Sequence, residues 1–444
     1  VIRFIRSLFI TGRLLVLLLL VVAFFALGYS FPPMQSVATA SLWIITVLVV
    51  IDLLMLYGRG DAFEAERFLP ARLSNGDENE VTLKLKSNYP LPVDLQVIDE
   101  QPYQFQAREQ MFTLRLMPRE ARHHVYKVVP TERGDYRFGR IHVFVSTNLK
   151  LMRRRYTIPA EQNVPVYPSF LQMRRFELLA RANRLDEIGI KRVRRRGHSM
   201  EYDQIREYVK GDDIRTINWK ATSRSTSLMV NQYQDERAQE VYTVIDMGRV
   251  MKMPFNGMTL LDYSINAGLV MSNVALMKHE RAGLITFADT VKTTVKAENR
   301  RLQMGRIMEM LYNQQTDFKE SGYEQLYAHL QRTLSRRSLI LLFTNFETLH
   351  GLHRNLPYLR AINRRHLLVA VFFENAELAE EMRKPTRKLW DIYYKTTLEK
   401  YIYEKREIVK ELNRYGISTI LTAPENLTVD TVNKYLEIKS RGLL

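Results

Sequence analysis

Cysteine is missing from all 444 residues. Without a thiol there is no disulfide framework, no thiolate metal centre and no cysteine nucleophile, and the chain suits a reducing compartment. Compositionally biased, disorder-prone stretches are missing too. Hydrophobic residues make up 46% and charged residues 25%, the balance of a chain that buries cores. Negative charge is in deficit: the formal net charge is +17. The partners it attracts are therefore anionic lipid, nucleic acid or an acidic protein surface. The length excludes one ordinary core and predicts two or three soluble units.

Two long apolar runs stand at the beginning. LLVLLLLVVAFFALGYSF starts at Leu14, and VATASLWIITVLVVIDLLMLY, charged only at Asp52, starts at Val37. Each is long enough to cross a hydrocarbon core of about 30 Å as a helix, so residues 1–58 read as a transmembrane hairpin. The connector SFPPMQS is uncharged, whereas Arg3, Arg6 and Arg13 precede the first span and Arg59, Arg67 and Arg72 follow the second. This bias predicts an inner, cytoplasmic membrane address with two spans and the soluble domains in the cytoplasm. No small-residue cleavage site followed by polar sequence separates the runs, which argues against a secretory signal peptide. Asp52 falls near the cytoplasmic end, where it is expected to reach the interface or pair between helices.

Residues 59–169 change to short alternating segments broken by turns. Val81, Leu83 and Leu85 alternate with polar neighbours, as do Ile141, Val143 and Val145, which predicts an all-β sandwich. The adjacent His123 and His124 would face opposite sides of a strand and share no metal. Residues 238–444 alternate strands (VYTVI, GLITF, LILLF, LLVAVFF, ISTIL) with helical stretches, the pattern of a doubly wound parallel α/β sheet. In the last long helix Leu398, Ile402, Val409, Leu412 and Tyr415 form an apolar stripe, with Gly416 placed as its C-cap. Ligands of such sheets sit at strand carboxyl ends, which directs attention to Asp246, Asp289 and Thr344-Asn345.

Between these parts, residues 170–237 carry KRVRRR, ending at Arg196, and then GHSMEYDQIREYVKGDDIRTINWKATSR. KRVRRR could meet phosphates or an anionic leaflet, but it lacks the interleaved aromatics of a single-strand platform, so a nucleic-acid role is not favoured. His198, Glu201, Asp212 and Asp213 offer oxygen and imidazole donors for a metal-dependent hydrolase. With Lys220 the acids approach a nuclease pattern, except that Asn218 stands where its second acid belongs. A structural reading accounts for more residues. Gly211-Asp212-Asp213 ends one helical piece and N-caps the next, a short helix in which Ile214, Ile217 and Ala221 share a face whose burial would include part of Trp219. Lys220 and Arg224 then stand together on another face.

The run closely resembles the signature of the domain of unknown function 58 family of bacterial proteins. It is carried by Gly197, Glu201-Tyr202, Arg206-Glu207-Tyr208, Gly211-Asp212-Asp213, Arg215, Ile217, Trp219-Lys220, Leu228 and Glu236, with ERGDYRFGRI at 132–141 and VPVYP at 164–168 outside it. The resemblance implies that the α/β part is von Willebrand factor type A-like. The metal-ion-dependent adhesion site of that fold maps to Asp246, Gly248, Val250, Thr316 and Asn345. Both loop serines are replaced and the late carboxylate is an amide, leaving too few hard oxygen donors for tight Mg²⁺ binding. No cofactor is therefore expected, beyond a weak divalent metal at most. The resemblance also implies a partner role in the assembly or activation of other complexes, beside a MoxR-type AAA+ ATPase and other von Willebrand factor type A proteins, and the expected protein is a non-enzymatic, membrane-anchored adaptor. Arg215, Lys220 and Arg224 are the expected partner contacts, with Gly211, Asp212, Asp213 and Trp219 holding the element in shape.

Overall fold

The computed structural model describes residues 2–58, 62–106, 111–181, 200–235, 238–316, 319–374, 381–382 and 389–443. KRVRRR and His198 lie outside the described residues. The chain divides into two compact units, Val1–Tyr167 and Pro168–Leu444.

In the first unit, apolar runs without the alternation that marks a strand become the helices Gly12–Gly28 and Pro32–Tyr57. The turn is tighter than the connector SFPPMQS suggests. Pro32 and Pro33 already belong to the second helix, where a missing N–H costs nothing in the first turn. Apart from one edge strand at Leu8–Ile10, the strands begin at Phe63, and they include a five-stranded antiparallel sheet in the order Leu8–Ile10, Met152–Ile158, Ile141–Ser146, Val93–Asp99 and Met111–Leu116. A three-stranded sheet, Phe63–Phe68, Asn79–Ser87 and Ala121–Val128, shares its core. Leu83 and Leu85 from the smaller sheet and Leu95, Val97, Val143 and Val145 from the larger are all buried in one cluster. Leu14, Val21, Ile45 and Leu56 of the helices join that cluster, so hairpin and sheets are one folded body. Arg67, counted above among the flanking charges, is instead buried in an ion pair with Asp99 and donates to the carbonyls of Ala160 and Gly139. His124 stacks on Phe112 at 4.0 Å, which satisfies it by packing.

The strand Leu8–Ile10 precedes the first apolar helix and pairs with Met152–Ile158. Thr11 caps that helix and also donates its hydroxyl to the carbonyls of Lys150 and Leu151. Asp52 pairs with neither helix nor solvent. It is buried and accepts from the Thr147 hydroxyl and from the backbone N–H groups of Leu151 (3.1 Å) and Met152 (2.9 Å). Its carboxylate thus closes the turn between two strands of the larger sheet.

The second unit is built on a six-stranded sheet in the order Val291–Glu298, Arg281–Phe287, Glu240–Asp246, Leu339–Phe343, Leu367–Phe373 and Ser418–Thr422. The last five are parallel, but the edge strand Val291–Glu298 is antiparallel to its neighbour, so the sheet is not wholly parallel. A tight turn through Ala288 and Thr290 lets this strand fold straight back. Helices cover both faces: Leu260–Met277, Gln303–Tyr312 and Leu427–Ser440 on one, Tyr323–Thr333, Leu349–Arg365 and Leu389–Arg414 on the other. Gly416, at φ +74°, ends the last of these in the left-handed region where glycine carries no Cβ penalty.

Among the described residues two helices are long and apolar enough to cross a membrane, Pro32–Tyr57 and Leu260–Met277. Most of the second is buried against the sheet, while most of Pro32–Tyr57 exposes its apolar side chains. Gly12–Gly28 is a shorter apolar helix of 17 residues.

Candidate functional site

Strand order reverses between Glu240–Asp246 and Leu339–Phe343, so a crevice opens at their carboxyl ends. Asp246 and Asn345 flank it. Asp246 is completely buried. It accepts from the Ser321 hydroxyl (2.6 Å), the Gly248 N–H (2.8 Å), the Thr344 hydroxyl (2.8 Å) and the Tyr323 hydroxyl (3.3 Å). Burial pushes its pKa above the usual carboxylate range, against the pull of these donors. Thr316 is not among its partners. The hydroxyl that reaches it from the neighbouring loop is that of Ser321, and Gly248 makes the room, because a Cβ there would lie 2.3 Å from the Ser321 oxygen.

Asn345 is engaged by a residue not singled out from the sequence. The buried ammonium of Lys405, on the helix Leu389–Arg414, donates to the Asn345 side-chain oxygen and to the Phe346 carbonyl. Burial lowers its pKa to about 8, with Glu347 pulling the other way. A signal was present: Lys405 falls between Ile402 and Val409 on the apolar stripe, where a cation has no place unless it is partnered.

This donor set does not fit a divalent cation. Both carboxylate oxygens of Asp246 are saturated by donors, and the amide at the late acidic position faces a lysine that already supplies positive charge. A cleft of about 190 Å³ beside it is lined by Arg249, Glu320, Ser321, Asn345 and Arg354, with Glu320 held by Arg354 at 2.8 Å. Among the described residues no group of three or more His, Asp or Glu side chains is arranged to hold a metal ion. Asp289 lies outside the crevice, paired on the surface with Lys319 and Lys292, which hold its pKa down to about 2.

The piece that precedes Gly211 is a strand and not a helix, because its backbone pairs across an antiparallel hairpin, Met200–Glu207 with Met229–Asp235, whose extra residue at Asp203 makes a bulge. The excursion between the strands is a set of capped turns. Asp212 receives both guanidinium nitrogens of Arg206 (2.8 and 2.6 Å) and the Val209 N–H, contacts that lower its pKa, with the Arg206 hydrogen bonds first. Asp213 caps the short turn Ile214–Thr216 by accepting from the Arg215 N–H at 3.0 Å. Asn218, at the position where a nuclease would need an acid, caps Trp219–Thr222 through the Ala221 N–H and ties across to Asn231. Asp212 and Asp213 are therefore engaged in the hairpin's own turns.

The expected burial of Ile214 and Trp219 does not occur: they are 70% and 69% exposed, and Ile217 and Ala221 are only half-buried. Four-residue helices are too short to carry a buried stripe, and capping fixes the shape without it. Trp219 therefore does not hold the element together. Val209 and Leu228 are exposed as well, and Lys210, Arg215, Lys220 and Arg224 enter no ion pair with a described residue. The result is a surface of large exposed apolar side chains interspersed with cations that pair with no described acid.

Among solved structures, the CARDB domain of a Pyrococcus furiosus protein is 17% identical over 24% of this chain and 93% of that one, with a TM-score of 0.18. Native alpha-2-macroglobulin from Escherichia coli is 16% identical over 24% of this chain and 16% of that one, with a TM-score of 0.19. Scores this low carry no argument. The "Uncharacterized protein YeaD" of Bacillus subtilis (strain 168) is 24% identical over 192 residues, or 42% of this chain and 48% of its own. The chain thus spans about half the length of that curated relative. Residues 204–381, which hold most of the signature hairpin and five of the six strands of the second unit's sheet, match the family described as "Protein of unknown function DUF58".

Proposed function

We propose that the chain is a membrane-anchored scaffold that binds protein partners and does no chemistry of its own. In this proposal Gly12–Gly28 and Pro32–Tyr57 cross the inner membrane with both ends in the cytoplasm, and the α/β unit is a von Willebrand factor type A-like domain whose adhesion site has lost its metal. The partner is a MoxR-type AAA+ ATPase, as the family resemblance implies, alongside other von Willebrand factor type A proteins.

One observation carries the proposal: Trp219 and Ile214 stand exposed beside Arg215, Lys220 and Arg224, none of which is ion-paired with a described residue. Exposed tryptophan and arginine are the side chains that dominate binding energy at protein interfaces, and an apolar surface costs solubility unless something covers it. The engaged carboxylates of Asp212, Asp213 and Asp246 support the same reading, since none is offered to a substrate or ion.

The test is affinity capture with the detergent-solubilised full chain as bait, in ATP and without it. An AAA+ ATPase should co-purify and fall by about ten-fold or more with Trp219→Ala, a hot-spot-sized loss. Melting should stay within about 0.5 kcal/mol of wild type because the side chain packs on little. Recovery of no AAA+ ATPase overturns the partner; equal recovery with Trp219→Ala overturns the surface.

A further inference from the structure

A second concentration of positive charge lies in the first unit, where the helical hairpin joins the β sheets. Here a cavity of about 530 Å³ is lined by Arg6, Arg154, Arg155, Ser7, Tyr57 and Tyr156, with no carboxylate among the described residues of its wall. The wall is built rather than incidental. Arg154 donates to the Leu56 carbonyl at 2.7 Å, satisfying one of the orphan acceptors at the helix end, and lies 4.5 Å from the rings of both Tyr57 and Tyr156. Arg155 donates to the Arg6 carbonyl, and the Ser7 and Tyr57 hydroxyls are bonded at 2.8 Å. Neither Arg6 nor Arg155 is ion-paired with a described residue.

Position identifies the ligand. Twenty-six residues of the helix Pro32–Tyr57 extend roughly 39 Å, more than a hydrocarbon core of about 30 Å, so the last turns belong at headgroup level. Tyrosine is the residue of that level. Leu54 and Met55 on the helix, and Phe9 and Ile10 on the edge strand, are exposed apolar side chains at the same end, suited to acyl chains. Guanidinium groups with neighbouring hydroxyls suit a phosphate, which accepts several charge-assisted hydrogen bonds at once.

We propose that this cavity binds the phosphate of an anionic phospholipid headgroup, held by Arg6 and Arg155. The site rests on the membrane-spanning assignment of the hairpin. The charges then serve as a depth gauge as well as an anchor, fixing the sheets against one leaflet.

The experiment is native mass spectrometry of the full chain, delipidated in detergent and offered phosphatidylglycerol, phosphatidylcholine or inorganic phosphate. Wild type should retain phosphatidylglycerol in preference to phosphatidylcholine. Arg6→Gln with Arg155→Gln should retain it about ten-fold less, the loss expected for removing charge-assisted contacts, with an unchanged circular dichroism spectrum. Arg6→Gln alone, at an exposed side chain, gives a second reading should the pair fail to fold. Equal retention of the two lipids, undiminished retention in the variants, or displacement by inorganic phosphate at matched concentration each overturns the headgroup site. Carbonate extraction separates the two claims: a chain that stays in the membrane yet shows no headgroup preference sinks this site alone, and a chain that washes off sinks the anchor with it.

Discussion

Replacing Asp52 with leucine makes an apolar helix more apolar, and if Asp52 faced lipid the change would be favourable. The structure predicts the opposite. Three donors end on this carboxylate: the Thr147 hydroxyl and the N–H groups of Leu151 and Met152. Leucine leaves all three buried without an acceptor, at about 1–2 kcal/mol each, or roughly 3–6 kcal/mol in total if water does not enter. The cost falls on one place, the turn between Ile141–Ser146 and Met152–Ile158, and on Leu8–Ile10, which pairs with that second strand. Asp52→Asn keeps one acceptor and turns an N–H₂ toward the others, so it should lose about half as much. Amide hydrogen exchange in detergent micelles reads this directly. In Asp52→Leu the Leu151 and Met152 amides should exchange about 10²–10⁴-fold faster, while those of Val93–Asp99 deeper in the sheet change little. Unchanged protection at Leu151 and Met152, or better membrane insertion with no local loosening, would refute the assignment of Asp52 as a turn clamp.

Two further outcomes concern the crevice of the α/β unit. Lys405 has a folded-state pKa near 8, below its ordinary 10.5, so between those values the unfolded chain holds a proton that the folded one lacks. Stability contributed by this residue should rise as pH climbs from about 8, by up to about 1.4 kcal/mol per pH unit, and Lys405→Met should remove that rise; a wild-type-minus-variant melting difference that stays flat from pH 8 to 10 would count against it. Gly248→Ala places a Cβ against the Ser321 hydroxyl and so should destabilise by about 1–3 kcal/mol and expose the 319–322 loop to proteolysis, whereas normal melting would show that Ser321 can leave Asp246 freely.

How much was legible depended on whether a residue's role was local. Val81, Leu83 and Leu85, and Ile141, Val143 and Val145, announce strands by alternation, and all six are buried. Continuous apolar runs such as LILLF mark strands covered on both faces, and LILLF is buried throughout. Gly416 was legible because one backbone conformation demands it. By contrast, Leu8–Ile10 pairs with Ile158's strand some 140 positions away, and three residues carry no periodicity to reveal it. Ser321 reaches Asp246 because the strand order brings two loops together, which spacing along the chain does not encode. Trp219 reversed expectation for a related reason: apolar residues at helical spacing were assumed to face a core, but a capped turn at the tip of a hairpin has none behind it.

The fates of the charged groups bear on what the protein does. Three acids that the sequence put forward for chemistry are consumed internally, Asp212 by Arg206, Asp213 by the Arg215 N–H and Asp246 by three hydroxyls and an N–H, and the buried Asp99 and Asp52 are taken up by Arg67 and by a turn. A carboxylate so engaged must break those bonds before it can hold a metal or take a proton, and Asp246 has no exposed surface from which to do so. The cations differ. Lys210, Arg215, Lys220 and Arg224 on one unit, and Arg6 and Arg155 on the other, are in no ion pair with a described residue. In a chain of net charge +17 this asymmetry concentrates binding capacity at anion-accepting surfaces. It makes neutralising substitutions at Arg215, Lys220 and Arg224 a sharper probe of the scaffold proposal than removal of any acid, because they alter what a partner meets while leaving the caps that shape the hairpin in place.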